Sequence, residues 1–348
     1  MEQQELAPDD FLHQSRNGVI LDVRTPDEYN VGHIPNAINF PLFTNEERIV
    51  VGTAYVKQGR DIAVEKGLEF VGPKMATFVR QAKALAAGRT LYIHCWRGGM
   101  RSGSMAWLLR TAGLSVQLLQ GGYKAYRQSF TDQLNNIPWK LIVLGGSTGC
   151  GKTPILHALE AKGEQVLHLE GLACHKGSAF GALGEGEQPT TEQFSNLLYD
   201  EFCRFDPRRR VWCEGESESI GRVFLPKELF ARMVSAPLIQ LELPFDLRVR
   251  HILGEYGAFP AEELIASFRK IERRLGGVAT VEAIQAIEAG DLSTAIAFAL
   301  QYYDKAYARS FYEKWKVTCT HQAPADDPEA TACALLELIK QTKIDETN

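Results

Sequence analysis

Short, uninterrupted apolar runs alternate with stretches of helical periodicity along most of this chain. Gly18–Arg24 (GVILDVR) reads as a strand, and a turn-rich path over Thr25–Pro41 leads into a second extended piece. Lys74–Ala87 carries apolar residues at helical spacing, Thr90–Cys95 is a strand, Ser102–Gly113 is a helix closed by its glycine, and Ser115–Gly122 opens as a further strand. Apolar runs buried on both faces and separated by helices predict a parallel sheet that binds ligands at the carboxyl ends of its strands. Both Cys95 and the Gly121-Gly122 pair fall at such ends.

The pattern restarts at Lys140–Gly146 (KLIVLGG), which puts a domain boundary near residues 132–138. Strand candidates follow at Arg209–Gly215, Ala236–Pro244 and, last, Lys314–Thr320. A helical region spans about 260–315, from PAEELIASFRKIERRL to DKAYARSFYEK, and the tail KIDETN is expected to fray. The prediction is an α/β unit over 1–133 followed by a second α/β unit over 134–348 that carries the helical insertion. A length of 348 residues favours two cores over one.

Composition narrows the class. With 45% hydrophobic and 23% charged residues, the chain is that of an ordinary globular protein. The acidic start MEQQELAPDD lacks the basic and apolar regions of a leader, and no apolar run approaches the roughly 20 residues that span a bilayer. A cytoplasmic setting without membrane association is the expectation. A net charge of −5 argues against a protein that coats nucleic acid indiscriminately but allows a local basic face. The seven cysteines are irregularly spaced, with no CxxC and no Cys/His cluster of zinc-like spacing, so most are expected to be reduced.

Two stretches carry chemistry. GSTGCGKT, from Gly146 through Ser147, Thr148, Gly149, Cys150 and Gly151 to Lys152 and Thr153, fits the phosphate-loop pattern and stands between a strand and a helix. Its glycines let successive N–H groups turn inward around a di- or triphosphate, and the helix start adds partial positive charge. Lys152 would reach the outer phosphates, Thr153 is a possible magnesium ligand, and Cys150 reads as a small filler. Glu214 and Glu216 follow a strand, where an acid can order a metal or act as a base, and Arg248 and Arg250 follow another, where an arginine can clamp a phosphate. A solvated acidic turn weighs equally for the first pair, and an exposed charged helix start is the plainer reading of the second.

The other stretch is His94-Cys95, five residues, then Arg101-Ser102. A strand-to-helix turn aims backbone dipoles at the Cys95 sulfur, and Arg97 and Arg101 favour its thiolate. A phosphatase that attacks phosphorus and a sulfurtransferase that carries a persulfide both use such a cradle. Upstream, Asp22, Arg24, Glu28 and His33 read as a buried polar network that fixes the fold more than as a catalytic cluster.

The upstream stretch LDVRTPDEYNVGHIPNAINFP resembles the rhodanese domain over roughly residues 8–130, though the active loop is one residue longer than in rhodaneses that only move sulfur. Together with HCWRGGMRSGSMAWLL, LQGGYKAYR, GGSTGCGKT, LEGLACHKGSAFG, EGESESIGRVFLP and RRLGG, it resembles the bacterial tRNA 2-selenouridine synthase family, a rhodanese domain fused to a P-loop domain. Cys174-His175-Lys176, where Asn-His-Arg is expected, and Gly215 between two acids are departures.

The resemblance implies replacement of the sulfur of wobble 2-thiouridine by selenium from selenophosphate, by way of an S-geranyl intermediate made from geranyl diphosphate. It implies no tightly bound cofactor beyond possible magnesium. Its partners would be the tRNA anticodon stem-loop and an enzyme that supplies selenophosphate. On that basis the P-loop would hold the diphosphate, aided by His175, Lys176 and Ser178, while Cys95, Arg97 and Arg101 would act at the selenium step. Candidate tRNA contacts are Arg208, Arg209, Arg210, Arg273, Arg274, Lys124 and Arg127, with Trp96 or Tyr123 to stack on an extruded base. From the residues alone, a P-loop kinase with an accessory rhodanese domain, a rhodanese-fold phosphatase and a binding-only module stay open.

Overall fold

A strand covered by helices on both sides must be apolar on both faces, and the chain meets that demand in two separate sheets. The computed structural model describes residues 5–310, 315–323 and 326–342. By its internal contacts the chain divides into two units, Met1–Gln133 and Leu134–Asn348.

In the first unit, β1 (Glu5–Leu6), β2 (Val19–Asp22), β3 (Ile38–Asn39), β4 (Leu91–His94) and β5 (Val116–Leu119) form a parallel sheet in the order β1-β5-β4-β2-β3. The register pairs Asp22 with His94, which brings the carboxyl ends of β2 and β4 side by side. Leu21, Val23, Ile93, Met105 and Leu109 are in the core between sheet and helices. The stretch ERIVVGTAYVKQGRDIAVEKGL folds as two helices, Asn45–Gln58 and Arg60–Val71, which turn at Gly59 (φ 95°). A capping box between Thr44 and Glu47 starts the first of them.

The second unit holds β6 (Lys140–Gly146), β7 (Gln165–Leu167), β8 (Arg210–Glu214), the short antiparallel pair β9 (Ser219–Ile220) and β10 (Val223–Phe224), β11 (Leu238–Glu242) and β12 (Val317–Gln322). Its parallel sheet runs β12-β11-β6-β8-β7. The strands expected around 18–24, 90–95, 115–122, 140–146, 209–215, 236–244 and 314–320 all appear: the one at 140–146 at its full length, the last displaced to Val317–Gln322, and the others shortened at their ends. The helical region is four helices, Phe245–Tyr256, Ala261–Leu275, Gly277–Glu288 and Leu292–Ser310, with a core of its own that includes Phe180, Tyr256, Leu264, Phe268 and Ile287. The last residues of that expected region, and the tail KIDETN, lie outside the described residues. No helix among the described residues is long and apolar enough to cross a membrane.

The expected polar network of the first unit is partly as read. Arg24 and Asp22 are both fully buried, joined by Nε and Nη2 bonds of 2.6–3.0 Å, and Arg24 Nη2 also donates to the Gly32 carbonyl at 2.7 Å. The guanidinium lies 3.8 Å from the centre of the Tyr123 ring. Glu28 and His33 stand apart from this pair: Glu28 turns to Arg101, and His33 stacks on Tyr29 at 3.8 Å. Removing one member of a buried ion pair strands the other without water. Arg24→Ala is therefore expected to cost about 3–5 kcal/mol, measured from urea unfolding of the full chain, and a loss below about 1 kcal/mol would show that Asp22 finds another partner.

Candidate active sites

The first site forms where β4 ends. Cys95 is 3% exposed, and its Sγ lies 3.2 Å from the Ser102 hydroxyl at the start of the helix Met100–Thr111. The loop between them depends on two glycines in the left-handed region, Gly98 (φ 67°) and Gly122 (φ 64°). A Cβ on Gly122 would stand 2.4 Å from Gly98 N and 2.5 Å from the Cys95 carbonyl oxygen, so only glycine fits there. From below, the Tyr123 N–H donates to the Cys95 carbonyl at 2.8 Å and the Lys124 N–H to the Trp96 carbonyl at 2.9 Å.

Arg101 forks onto Glu28, with Nη1–Oε2 at 2.6 Å and Nη2–Oε1 at 3.1 Å. Glu28 simultaneously closes the capping box of its own helix, Pro26–Val31, through Thr25. Burial opposes its ionisation, but the hydrogen bonds and charge of Arg101, with the Thr25 N–H, outweigh it and hold the carboxyl below its usual range. Arg97 is exposed on the loop. The arrangement can hold a chalcogen on Cys95 and an anion beside it.

The second site forms where β6 ends. Gly146 (φ 147°), Gly149 (φ 80°) and Gly151 (φ 81°) turn the phosphate loop, and the helix Lys152–Ala161 starts directly after it. Cys150 is buried in the core behind the loop, and a Cβ on Gly146 would lie 2.5 Å from its Sγ, in keeping with the filler reading. Two side chains from the helix Phe245–Tyr256 hold the loop by its carbonyls. Arg248 Nε donates to Thr148 O at 2.8 Å and His251 Nδ1 to Gly149 O at 2.9 Å. Arg248 is 6% exposed and forks onto Asp304 at 2.6 and 3.0 Å, so it braces the loop from behind and is neither a phosphate clamp nor a solvated helix start.

A cavity of about 940 Å³ opens from this loop. Its polar end is formed by Thr148–Thr153, Glu170, Lys176, Ser178 and Glu216, and its walls by Tyr256, Leu264, Phe268, Ile287, Ala295 and Ala299 from the helical region. Lys176 Nζ pairs with Glu255 at 2.7 Å and Glu185 at 3.4 Å, and its ammonium lies 5.3 Å from the Tyr256 ring centre. Glu216 shares a hydrogen bond with Glu170, and burial together with that neighbouring charge pushes its carboxyl well above the usual range. Burial, then Glu170, likewise push Glu214 up to about 8. The sequence reading passed over Glu170, whose one signal is its place in LEGLACHKGSAFG, and Arg248, His251 and Asp304 as loop braces.

Several expected contacts are elsewhere. Glu214 does not line the cavity; it is fully buried, and its Oε2 accepts the Leu169 N–H at 2.8 Å. His175 is also off the wall, accepting the Gly177 N–H and packed so closely that a Cβ on Gly181 would come within 2.9 Å of its ring. Arg208, Arg209 and Arg210 precede or begin β8, at the end of the sheet opposite the phosphate loop, because Arg210 pairs with Lys140 and Glu214 with Leu144. They are engaged locally by Asp206, the Gly163 carbonyl and Glu164. Arg274 reaches the cavity while Arg273, one residue earlier on the helix, does not. Tyr123 is fully buried beneath Arg24 and cannot stack on a base, whereas Trp96 is 38% exposed.

A glycine-turned thiol loop on one parallel sheet, and a phosphate loop opening into an apolar cavity on another, define a rhodanese-like unit fused to a P-loop unit. A family model described as tRNA 2-selenouridine synthase AAA domain matches residues 139–327, and the rhodanese-like domain model matches residues 7–129. The chain belongs to the tRNA 2-selenouridine synthase family. It is 36% identical to the tRNA 2-selenouridine synthase of Shewanella loihica over 74% of either chain. With that of Bdellovibrio bacteriovorus it shares 34% identity over 84% of this chain and 86% of the relative. With that of Psychromonas ingrahamii it shares 33% over 70% of this chain and 66% of the relative. A solved N-terminal domain from Clostridium difficile 630 is 44% identical over 36% of this chain and 98% of its own, with a TM-score of 0.35.

The Glu28–Arg101 pair gives the first unit a pH dependence. A carboxyl held below its ordinary 4.5 adds stability that is complete above that value and is lost as pH falls through the lowered one. Urea midpoints of the wild type should therefore fall more steeply between pH 6 and pH 3.5 than those of Arg101→Gln. Parallel slopes would count against the pair.

Proposed function

We propose that the chain replaces the sulfur of wobble 2-thiouridine in tRNA by selenium, through an S-geranyl intermediate. One observation carries this reading: the cavity joins a phosphate loop to a wall of apolar and aromatic side chains. A nucleotide has no use for such a wall next to its phosphates, but an isoprenoid diphosphate is charged at one end and hydrocarbon at the other. Its volume is within the roughly 300–1,000 Å³ typical of small-molecule sites.

In this reading the N–H groups of the loop and Lys152 hold the diphosphate and take up the charge it gains on leaving. The thiocarbonyl sulfur attacks the allylic carbon, the carbon–oxygen bond breaks with its electron pair going to diphosphate, and the base N3 proton is released. Thr153 and Glu216 both line the cavity, and their hydroxyl and carboxylate oxygens would hold a magnesium ion, a hard cation that would supply charge to the diphosphate. Phe268, Leu264 and Ile287 exclude water from the hydrocarbon chain. Alkylation converts a poor leaving group into one that departs as geranylthiol: the selenium of selenophosphate bonds to the base carbon, the carbon–sulfur bond breaks, and water then cleaves the selenium–phosphorus bond to release phosphate and leave 2-selenouridine. Cys95 serves that second step, with Arg101, released from Glu28, and Arg97 holding the phosphate. The name its relatives carry, tRNA 2-selenouridine synthase, supports the tRNA substrate and its selenouridine product. The setting we propose is the cytoplasm, with a selenophosphate-supplying enzyme as partner.

The test is mass analysis of nucleosides from thiolated tRNA incubated with geranyl diphosphate and then selenophosphate. S-geranyl-2-thiouridine followed by 2-selenouridine is expected; ATP turnover with no geranyl adduct would replace this reading with a kinase. Lys152→Ala should lower geranylation by about 100-fold or more, the scale of losing one charge-stabilising group. Cys95→Ser should stop selenium incorporation and leave geranylation intact, and loss of both steps would contradict the division of labour.

A further inference from the structure

The helix that starts at the phosphate loop carries His157 and Glu160 one turn apart, and the segment leaving β7 begins with His168. Glu160 Oε2 lies 3.8 Å from His157 Nδ1 and 3.3 Å from His168 Nε2. One ligand atom from each of the three falls within 4.8 Å of the others. A tetrahedral zinc ion, with bonds of about 2.0–2.1 Å, needs its ligands about 3.4 Å apart, so the two separations to Glu160 are already close to the required spacing.

A second observation bears on the same histidine. Glu214 Oε1 is buried and has no hydrogen-bond partner among the described residues, and His168 Nδ1 lies 4.0 Å from it. If His168 Nε2 donates to Glu160, the neutral ring has no proton on Nδ1 to offer Glu214. A metal on Nε2 moves the ring proton to Nδ1, which then points at Glu214 Oε1 in the carboxylate–histidine–metal relay found around zinc.

We infer that His157, Glu160 and His168 bind a zinc-class divalent ion, that Glu214 orients His168, and that the remaining position takes the sulfur of the substrate. Of the three, His157 lines the cavity, together with Thr153 and Pro154 of the same helix, which puts its side of the site at the cavity of the phosphate loop. His157 is five residues from Lys152 along the helix, about 7.5 Å of rise, which suits a sulfur poised beside the carbon that carries the diphosphate. Nitrogen and oxygen ligands with one vacant site match zinc, and sulfur is a ligand it prefers. The sulfur assignment rests on the alkylation proposed above; the metal site does not.

Full-length protein stripped with chelator and given Zn2+ alone should retain one zinc per chain after desalting, measured by plasma mass spectrometry. His157→Ala and His168→Ala should retain none while keeping the wild-type circular dichroism. Glu214→Gln should keep the stoichiometry and lose about 10-fold or more in affinity against a fluorescent zinc chelator. No zinc retained by the wild type, or full retention by both histidine variants, overturns the site. An unchanged affinity in Glu214→Gln overturns its positioning role. With Co2+ in place of zinc, an anticodon stem-loop containing 2-thiouridine should add a sulfur-to-cobalt absorption band that the uridine stem-loop does not, and absence of that band overturns the sulfur assignment. Metal binding without any geranylation would defeat the proposed function and leave the metal site standing.

Discussion

The second unit depends on what Arg248 holds. A guanidinium only 6% exposed cannot remain unpaired, and its partners are the Thr148 carbonyl of the phosphate loop and the carboxylate of Asp304. One side chain thereby fixes the loop relative to two helices, Phe245–Tyr256 and Leu292–Ser310, whose side chains form part of the cavity wall. The polar and apolar ends of the cavity are consequently a single rigid object. Arg24 plays the corresponding part in the first unit: a buried guanidinium on Asp22 and the Gly32 carbonyl supports Tyr123, whose N–H holds the Cys95 carbonyl. In both units a buried arginine braces the loop from below, and the groups available for chemistry are set on top.

The same comparison explains why two cysteines in similar loops differ. Cys95 immediately follows its strand, and its sulfur faces the Ser102 hydroxyl at the next helix. Cys150 comes four residues after its strand ends at Gly146, folds back, and packs against the space a Gly146 side chain would need. Both are 3% exposed, so burial alone does not separate a reactive position from a filler. Both also belong to the core cluster of their unit; what separates them is the neighbour of the sulfur, the Ser102 hydroxyl for Cys95 and the Gly146 backbone for Cys150.

Much of this was legible in the sequence where the local pattern and the fold obey the same constraint. β6 coincides with its apolar run because a central parallel strand is buried on both faces, and the glycines of GSTGCGKT mark a turn no other residue can make. Legibility fails where the third dimension decides. Asn45–Val71 was not read as two helices because Ile49, Tyr55, Val56 and Leu68 are exposed and blur the expected stripe. β7 is three residues long, too short for any periodicity. Tyr123 reads as an available aromatic until Arg24 is seen above it. His157, Glu160 and His168 lack the close spacing of a metal motif, because the third residue arrives from the end of the neighbouring strand. The triple arginine at 208–210 reads as a basic face, yet its neutralising acids, Asp206 and Glu164, are set by the fold and by β-sheet register.

The charge around the phosphate loop imposes a last condition. Lys152 faces Glu170 and Glu216, which share a hydrogen bond and cannot both be ionised at little cost. A diphosphate entering beside them adds more negative charge than one lysine and a set of N–H dipoles offset, since a carboxylate a few ångströms away repels it in a medium poorer than water at screening. The pair must therefore stay protonated or meet a cation as the diphosphate binds. For the diphosphate proposed above, a carboxyl pair at this position ties binding at the loop to uptake of a proton or of a cation.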